Sequence, residues 1–282
     1  MRARAKLRTT AKPLKHSLRS ASLSSKGARM LRLRQICLVA SELEKPVADL
    51  KAIFGLETCF HDPNVGKYGL ENALLPVGTD FLEMVAPFQE KTAAGRYLDR
   101  RGGDGGYMVI LQCDDAEARE QRMQEIGVRI ANRLDYGTYL GLQLHPKDTG
   151  GAILETSTDP RSVAPDGPWH PAGDSWEEAV RTDVVRAMKA AELQSDDPGG
   201  LAARWAQVLN VPLGHDAQGN PALKLENADL RFIPADDGRG EGLGGLDFAV
   251  VDRDAILRQA CARGCDVAGD TVTVCGVRFK LL

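Results

Sequence analysis

The chain lacks any apolar run approaching the ~18 to 20 residues that a membrane-spanning helix needs, so its body is expected to be soluble, with no membrane partner. Its first thirty residues contain nine Lys or Arg but no Asp or Glu, and no central apolar stretch of the kind a secretory signal requires. This Ser- and Arg-rich leader, residues 1–30, is read as a tail outside the fold, with Met30 a candidate start. A transit peptide and an arm for nucleic acid or lipid are the other readings its composition leaves open. Beyond the leader, 27 basic residues face 39 acidic ones, a net charge of −12, which argues against a nucleic-acid partner for the body.

Metal-type cysteine spacing is also missing. The six cysteines, Cys37, Cys59, Cys113, Cys261, Cys265 and Cys275, form no CxxC pair and no close Cys/His cluster, which points to reduced thiols and a cytoplasmic location. No GxSxG elbow, HExxH, GxxxxGK[ST] or kinase signature occurs. The glycine clusters GGDGG and GRGEGLGG each precede a strand-like run, whereas phosphate loops follow a strand and open a helix.

What the sequence does have is an internal repeat. The stretch from Gly102 to Gly127 is echoed in pattern from Gly242 to Gly264: a Gly-Gly step, an apolar run, a paired-acid turn, then a helix closed by glycine. Four such strand-then-helix starts can be read. LRQICLVA leads to a helix capped by Ser41 and Glu44, with Leu43, Val47, Leu50 and Phe54 on one face before Gly55. YMVILQC leads to one capped by Asp114 and Glu117 and stopped at Gly127. MKAAELQ leads to a helix opened by Asp197 and Pro198, carrying Leu201, Trp205, Val208 and Leu209 and closing near Asn210. LDFAVV leads to one capped by Asp252 or Asp254 and ended by Gly264.

Two or three short strands follow each helix, so the unit is strand, helix, then about three strands. One such unit leaves a sheet face bare, and pairing of units is the way to bury it. The segment 159–175, DPRSVAPDGPWHPAGDS, is dense in Pro, Gly and Asp and has a linker composition. It divides the chain into a first domain, 31–158, and a second, 176–282, each of two modules. Trp169, Trp176 and Trp205 are expected to pack the interface between them.

This doubled βαβββ unit, with the phrases FGLE, FLEMVAP and GGAILE, resembles the vicinal oxygen chelate superfamily of glyoxalases, bleomycin-resistance proteins and extradiol dioxygenases. The resemblance implies an α+β fold of four βαβββ modules paired into two glyoxalase-like domains, with curved mixed sheets forming a cup and helices outside. It also implies a divalent metal (Mn, Ni, Zn, Mg or Fe) held by first- and last-strand residues, and a lyase, isomerase or dioxygenase acting on a small-molecule ligand.

Carried onto this chain, the metal positions are Gln35, Glu83 and Glu155, and the fourth, where the family usually has His, is Met108. A thioether is a poor ligand for these ions. Glu83 and Glu155 alternate with apolar neighbours, which turns both carboxylates into the cup, where they would also serve as the catalytic proton carriers. Tyr107, Tyr139 and His145 are the substrate-binding candidates, with Tyr136 beside them and His145 also a substitute ligand. The corresponding positions of the second half, Lys189, Arg231, Asp247 and Lys280, are mostly cationic and mark a degenerate copy. Three readings therefore stay open: a metal-dependent enzyme with its site in the first domain, a metal-free binding or sequestering protein, and a scaffold without a small ligand, whose cup would be filled by its own side chains. A homodimer is compatible with each.

Overall fold

A computed structural model describes residues 30–282, so the leader expectation lies outside the described residues. The four starts read from the sequence are all present as strand-helix pairs. In order these are β1 (Leu31–Val39) with α1 (Glu44–Phe54), β4 (Gly105–Cys113) with α3 (Ala116–Glu125), β8 (Val185–Ser195) with α5 (Pro198–Leu209), and β12 (Gly242–Val250) with α6 (Arg253–Ala262). Trailing the first are β2 (Leu70–Val77) and β3 (Asp80–Pro87), and an isolated Phe60 to Leu74 bridge where a third strand would lie. The others are followed by β5 (Ile130–Asp135), β6 (Leu140–Leu144) and β7 (Ile153–Thr158), by β9 (Leu213–His215), β10 (Pro221–Lys224) and β11 (Asp229–Pro234), and by β13 (Asp266–Ala268), β14 (Thr271–Val274) and β15 (Val277–Leu281).

Helix starts follow the capping chemistry with two corrections. Asp197 and Asp252 accept the backbone N–H three residues on, as expected of N-caps. At α3 the cap is Asp115, not Asp114, because only Asp115 stands three residues before the Ala118 N–H it accepts. At α1 the cap position is Leu43 and no side chain caps it; the Ser41 N–H instead donates to Asp104. Two further helices, α2 (Ala93–Arg101) and α4 (Pro146–Thr149), were not foreseen. Helix α2 carries only two large apolar residues, Tyr97 and Leu98, adjacent in sequence, so no pair of large apolar residues at helical spacing marks it.

Each first strand pairs with the last strand of its own module in parallel, and β1 with β4, like β8 with β12, runs antiparallel. The result is an open mixed sheet of curved halves joined where Leu243 of β12 pairs with Gly106 of β4. The repeated glycines meet at this seam: a Cβ on Gly106 would lie 2.5 Å from both the Leu243 Cγ and its carbonyl oxygen. Only glycine permits that approach.

One apolar core runs through both halves. Phe54 of α1 packs on Phe248 of β12 and Phe279 of β15, with ring centroids 5.4 and 4.9 Å apart, so the first helix covers the sheet of the last module. A second, smaller cluster fills the concave face of the first half. The segment 159–175 belongs to it. Trp169 is fully buried there and Trp176 packs edge-on against Phe81, so these two tryptophans pack into the core of the first half and not an interface between halves. Trp205 alone sits near the junction, its indole donating to the Gly150 carbonyl. Arg34 explains the anchoring. Its buried guanidinium donates to the carbonyls of Thr79, Pro165 and Gly167 and lies 5.2 to 5.6 Å from the rings of Phe81, Trp169 and Trp176. Burial lowers its pKa to about 10.

Candidate functional site

The concave face of the first half encloses a cavity of about 440 Å³. Its floor comes from β1, β3, β4 and β7, whose period of two sends alternate residues inward. Parallel pairing sets Glu83 beside Cys37, and Glu155 beside Ile110, so both carboxylates reach the same floor. Gln35, Glu83, Met108, Glu155, Tyr107 and Tyr139 all line this cavity. His145 does not. It opens α4, where its Nδ1 accepts the Lys147 N–H, and it faces a different cavity. The strand turns into α4 at Pro146, one residue beyond His145, and this carries the ring away from the cup.

Both buried carboxylates are held by neutral donors. Glu83 Oε2 accepts from Gln35 Nε2 at 2.8 Å and Oε1 from Asn72 Nδ2 at 2.7 Å. Burial pushes the Glu83 carboxyl above its ordinary pKa, and the hydrogen bonds from Asn72, Cys37 and Gln35 counter only part of that rise. Glu155 Oε1 accepts from Tyr139 Oη at 2.8 Å and Ser157 Oγ at 2.7 Å, while Oε2 accepts from Gln143 Nε2 at 2.9 Å. The Tyr139 phenol is raised well above its usual range, by burial first and by the adjacent Glu155 next. Tyr107 is raised to about 12, mainly by burial.

The metal positions can be tested against this geometry. Gln35 Oε1, the atom that would face an ion, accepts the Trp169 indole N–H at 2.8 Å, and its amide nitrogen is turned to Glu83. An indole N–H only donates, so this contact fixes which end of the Gln35 amide is oxygen. Met108 brings no oxygen or nitrogen. Among the described residues no three His, Cys, Asp or Glu side chains converge as a metal set. The residues present do not fit the ion that the resemblance implies.

Trp169, Asn72, Gln143 and Ser157 were missed as site residues. Asn72 carried one available signal, a lone amide inside the apolar run YGLENALLPVG. Trp169 carried none, since its segment has no period. Around the mouth, Tyr136 stacks on His170 with centroids 4.5 Å apart, and Lys67 donates to the Tyr136 hydroxyl. No Lys or Arg lines the cavity itself.

In the second half the equivalent space is closed by ion pairs. Arg231 donates to Asp247 at 2.8 and 2.9 Å and to Glu192 at 2.9 Å, and Arg278 reaches Glu192 at 3.0 Å. The register pairs Arg231 with Glu192 as it pairs Glu83 with Cys37, so Ala190, not the exposed Lys189, corresponds to Gln35.

The profile of the family described as Glyoxalase-like domain matches residues 36–209. No curated protein matches the chain. Among solved structures, a hypothetical protein from Staphylococcus aureus aligns with a TM-score of 0.62 at 13% identity, covering 90% of this chain and all of that one. A methylmalonyl-CoA epimerase from Streptomyces coelicolor, in complex with 2-nitronate-propionyl-CoA, aligns at 0.42 and 22% identity over 47% of this chain and 99% of its own. A hypothetical protein from Bacillus halodurans aligns at 0.43 and 18% identity over 48% of this chain and 98% of its own. These likenesses concern the fold.

Proposed function

Since the chain belongs to the glyoxalase-like domain family, within the vicinal oxygen chelate superfamily, we propose that its first cup binds a small oxygen-bearing metabolite without a resident metal ion. The observation that carries this reading is the hydrogen bond from Trp169 to Gln35 Oε1, which occupies the oxygen a metal would need. Glu83 and Glu155 then act as the polar ends of a mostly apolar pocket. Glu155 Oε1 is filled by Tyr139 and Ser157, but Glu155 Oε2 and the Glu83 carboxylate keep lone-pair capacity for a ligand hydroxyl, while Leu70, Val85, Ile110 and Ile153 cover the ligand's carbon frame.

The raised pKa of Glu83 favours a second reading in which the same cup also moves a proton. A carboxyl that holds its proton closer to neutrality is better matched to accept one from a carbon acid or give one to an enolate. Binding is common to both readings; turnover separates them.

Elemental analysis of protein purified without chelator or metal-leaching resin tests the proposal. Metal well below one equivalent is expected, and it should stay so after incubation with Mn, Ni, Zn or Fe(II). Near-stoichiometric metal that disappears in both Glu83→Ala and Glu155→Ala would overturn it.

A further inference from the structure

A second cavity, of about 640 Å³, lies between the two halves and shares Ala93, Tyr107 and Ile153 with the cup. Its charge is opposite in kind. Arg96, Arg100, Arg101, Lys147 and Arg239 line it against one carboxylate, Glu241. This concentration runs against the composition, because the body beyond the leader is strongly acidic. Among the described residues, none of the five cations has a carboxylate within 4.0 Å, whereas Arg231, Arg263 and Arg278 elsewhere in the second half are each paired with one. Residues 1–29 contain no Asp or Glu that could supply a partner. Glu241 is itself engaged, its Oε1 accepting the Gly151 N–H at 2.8 Å and its Oε2 the Ser195 hydroxyl at 2.9 Å.

Arg101 is the informative member. It is only 6% exposed, and its Nη1 donates to the carbonyls of Arg239, Gly240 and Glu241, all at 2.9 Å. Its Nε and Nη2 have no partner. Desolvation lowers its pKa, the expected response of a buried cation without a counter-charge. Arg100 lies 5.5 Å over the Tyr97 ring, which holds that guanidinium at the cavity edge. Arg101 Nε and Nη2 are closed off from the cavity, so this buried cation contributes positive potential behind the exposed Arg96, Arg100 and Lys147, an arrangement suited to a multiply charged oxyanion.

We propose that this cavity is an oxyanion site for the phosphate or diphosphate group of a small molecule. It stands on cations outside the proposed metabolite cup and does not depend on that reading.

Isothermal titration of the full chain with inorganic pyrophosphate, orthophosphate and succinate at fixed ionic strength tests it. One equivalent of pyrophosphate should bind, more tightly than succinate. The double variant Arg96→Gln/Arg100→Gln, altered only at exposed side chains, should lose at least tenfold in affinity while its melting temperature is unchanged. Glu83→Gln should leave pyrophosphate affinity unchanged. Absence of saturable binding, preference for succinate, equal affinity in the double variant, or loss of binding in Glu83→Gln would each overturn the assignment.

Discussion

Replacing Trp169 by Phe removes one hydrogen-bond donor from the middle of the cup and leaves Gln35 Oε1 buried without a partner. An unsatisfied buried acceptor costs about 1–3 kcal/mol, and the smaller ring leaves a void that adds to it. For a chain of this size, each kcal/mol corresponds to about 2–4 °C in melting temperature, so a fall of about 2–12 °C is expected. Gln35→Met costs stability differently, since it also deprives Glu83 of one donor. If the Trp169 to Gln35 contact is real, the double variant Trp169→Phe/Gln35→Met should lose less than the two single losses added together, by about 1 kcal/mol or more. Urea unfolding of the four proteins measures this coupling. Additivity within about 0.3–0.5 kcal/mol would refute the contact, and with it the argument that Gln35 Oε1 is occupied.

Arg231→Met should destabilise by about 3–5 kcal/mol, because it leaves Asp247 and Glu192 as adjacent carboxylates without their shared cation; adding Asp247→Leu should restore part of the loss, read by the same urea assay. Asp80 has its pKa raised to about 6 by burial, despite its 3.3 Å pairing with Arg32. The folded state therefore binds this proton more tightly than the unfolded chain, and the Asp80 contribution to stability grows as pH falls from about 6 towards 4 and is lost as pH rises through 6. Asp80→Asn should flatten that part of the stability profile, and an unaltered slope would show that Asp80 does not titrate there. Gly106→Ala should lower the melting temperature sharply, whereas Gly137→Ala, at an open hairpin turn with positive φ, should cost about 1 kcal/mol.

The strand-helix modules were legible because each combines a period change with a glycine stop, signals confined to about 25 residues. The floor of the cup was legible too, since alternation turns Glu83 and Glu155 away from their apolar neighbours and the family resemblance places Gln35 and Met108 beside them. What escaped was set at long range. The role of Trp169 depends on Arg34, 135 positions earlier in the chain, whose guanidinium gathers carbonyls from the Pro- and Gly-rich segment. Composition showed a linker because nothing in a window of seventeen residues records a distant anchor. His145 was misplaced by a single residue, as Pro146 turns the chain just past it. Arg231 of the second half was read without the facing Glu192 that pairs with it.

The packing of Phe54 on Phe248 and Phe279 governs how this protein is made. A helix completed by residue 54 packs its Phe54 ring on strands that end at residues 250 and 281, so that aromatic face stays open until those strands have been made. Closing a loop of more than 190 residues must precede this packing. A fragment cut anywhere in the 159–175 segment would strand that face permanently. The halves, alike as they are, are obliged to mature together.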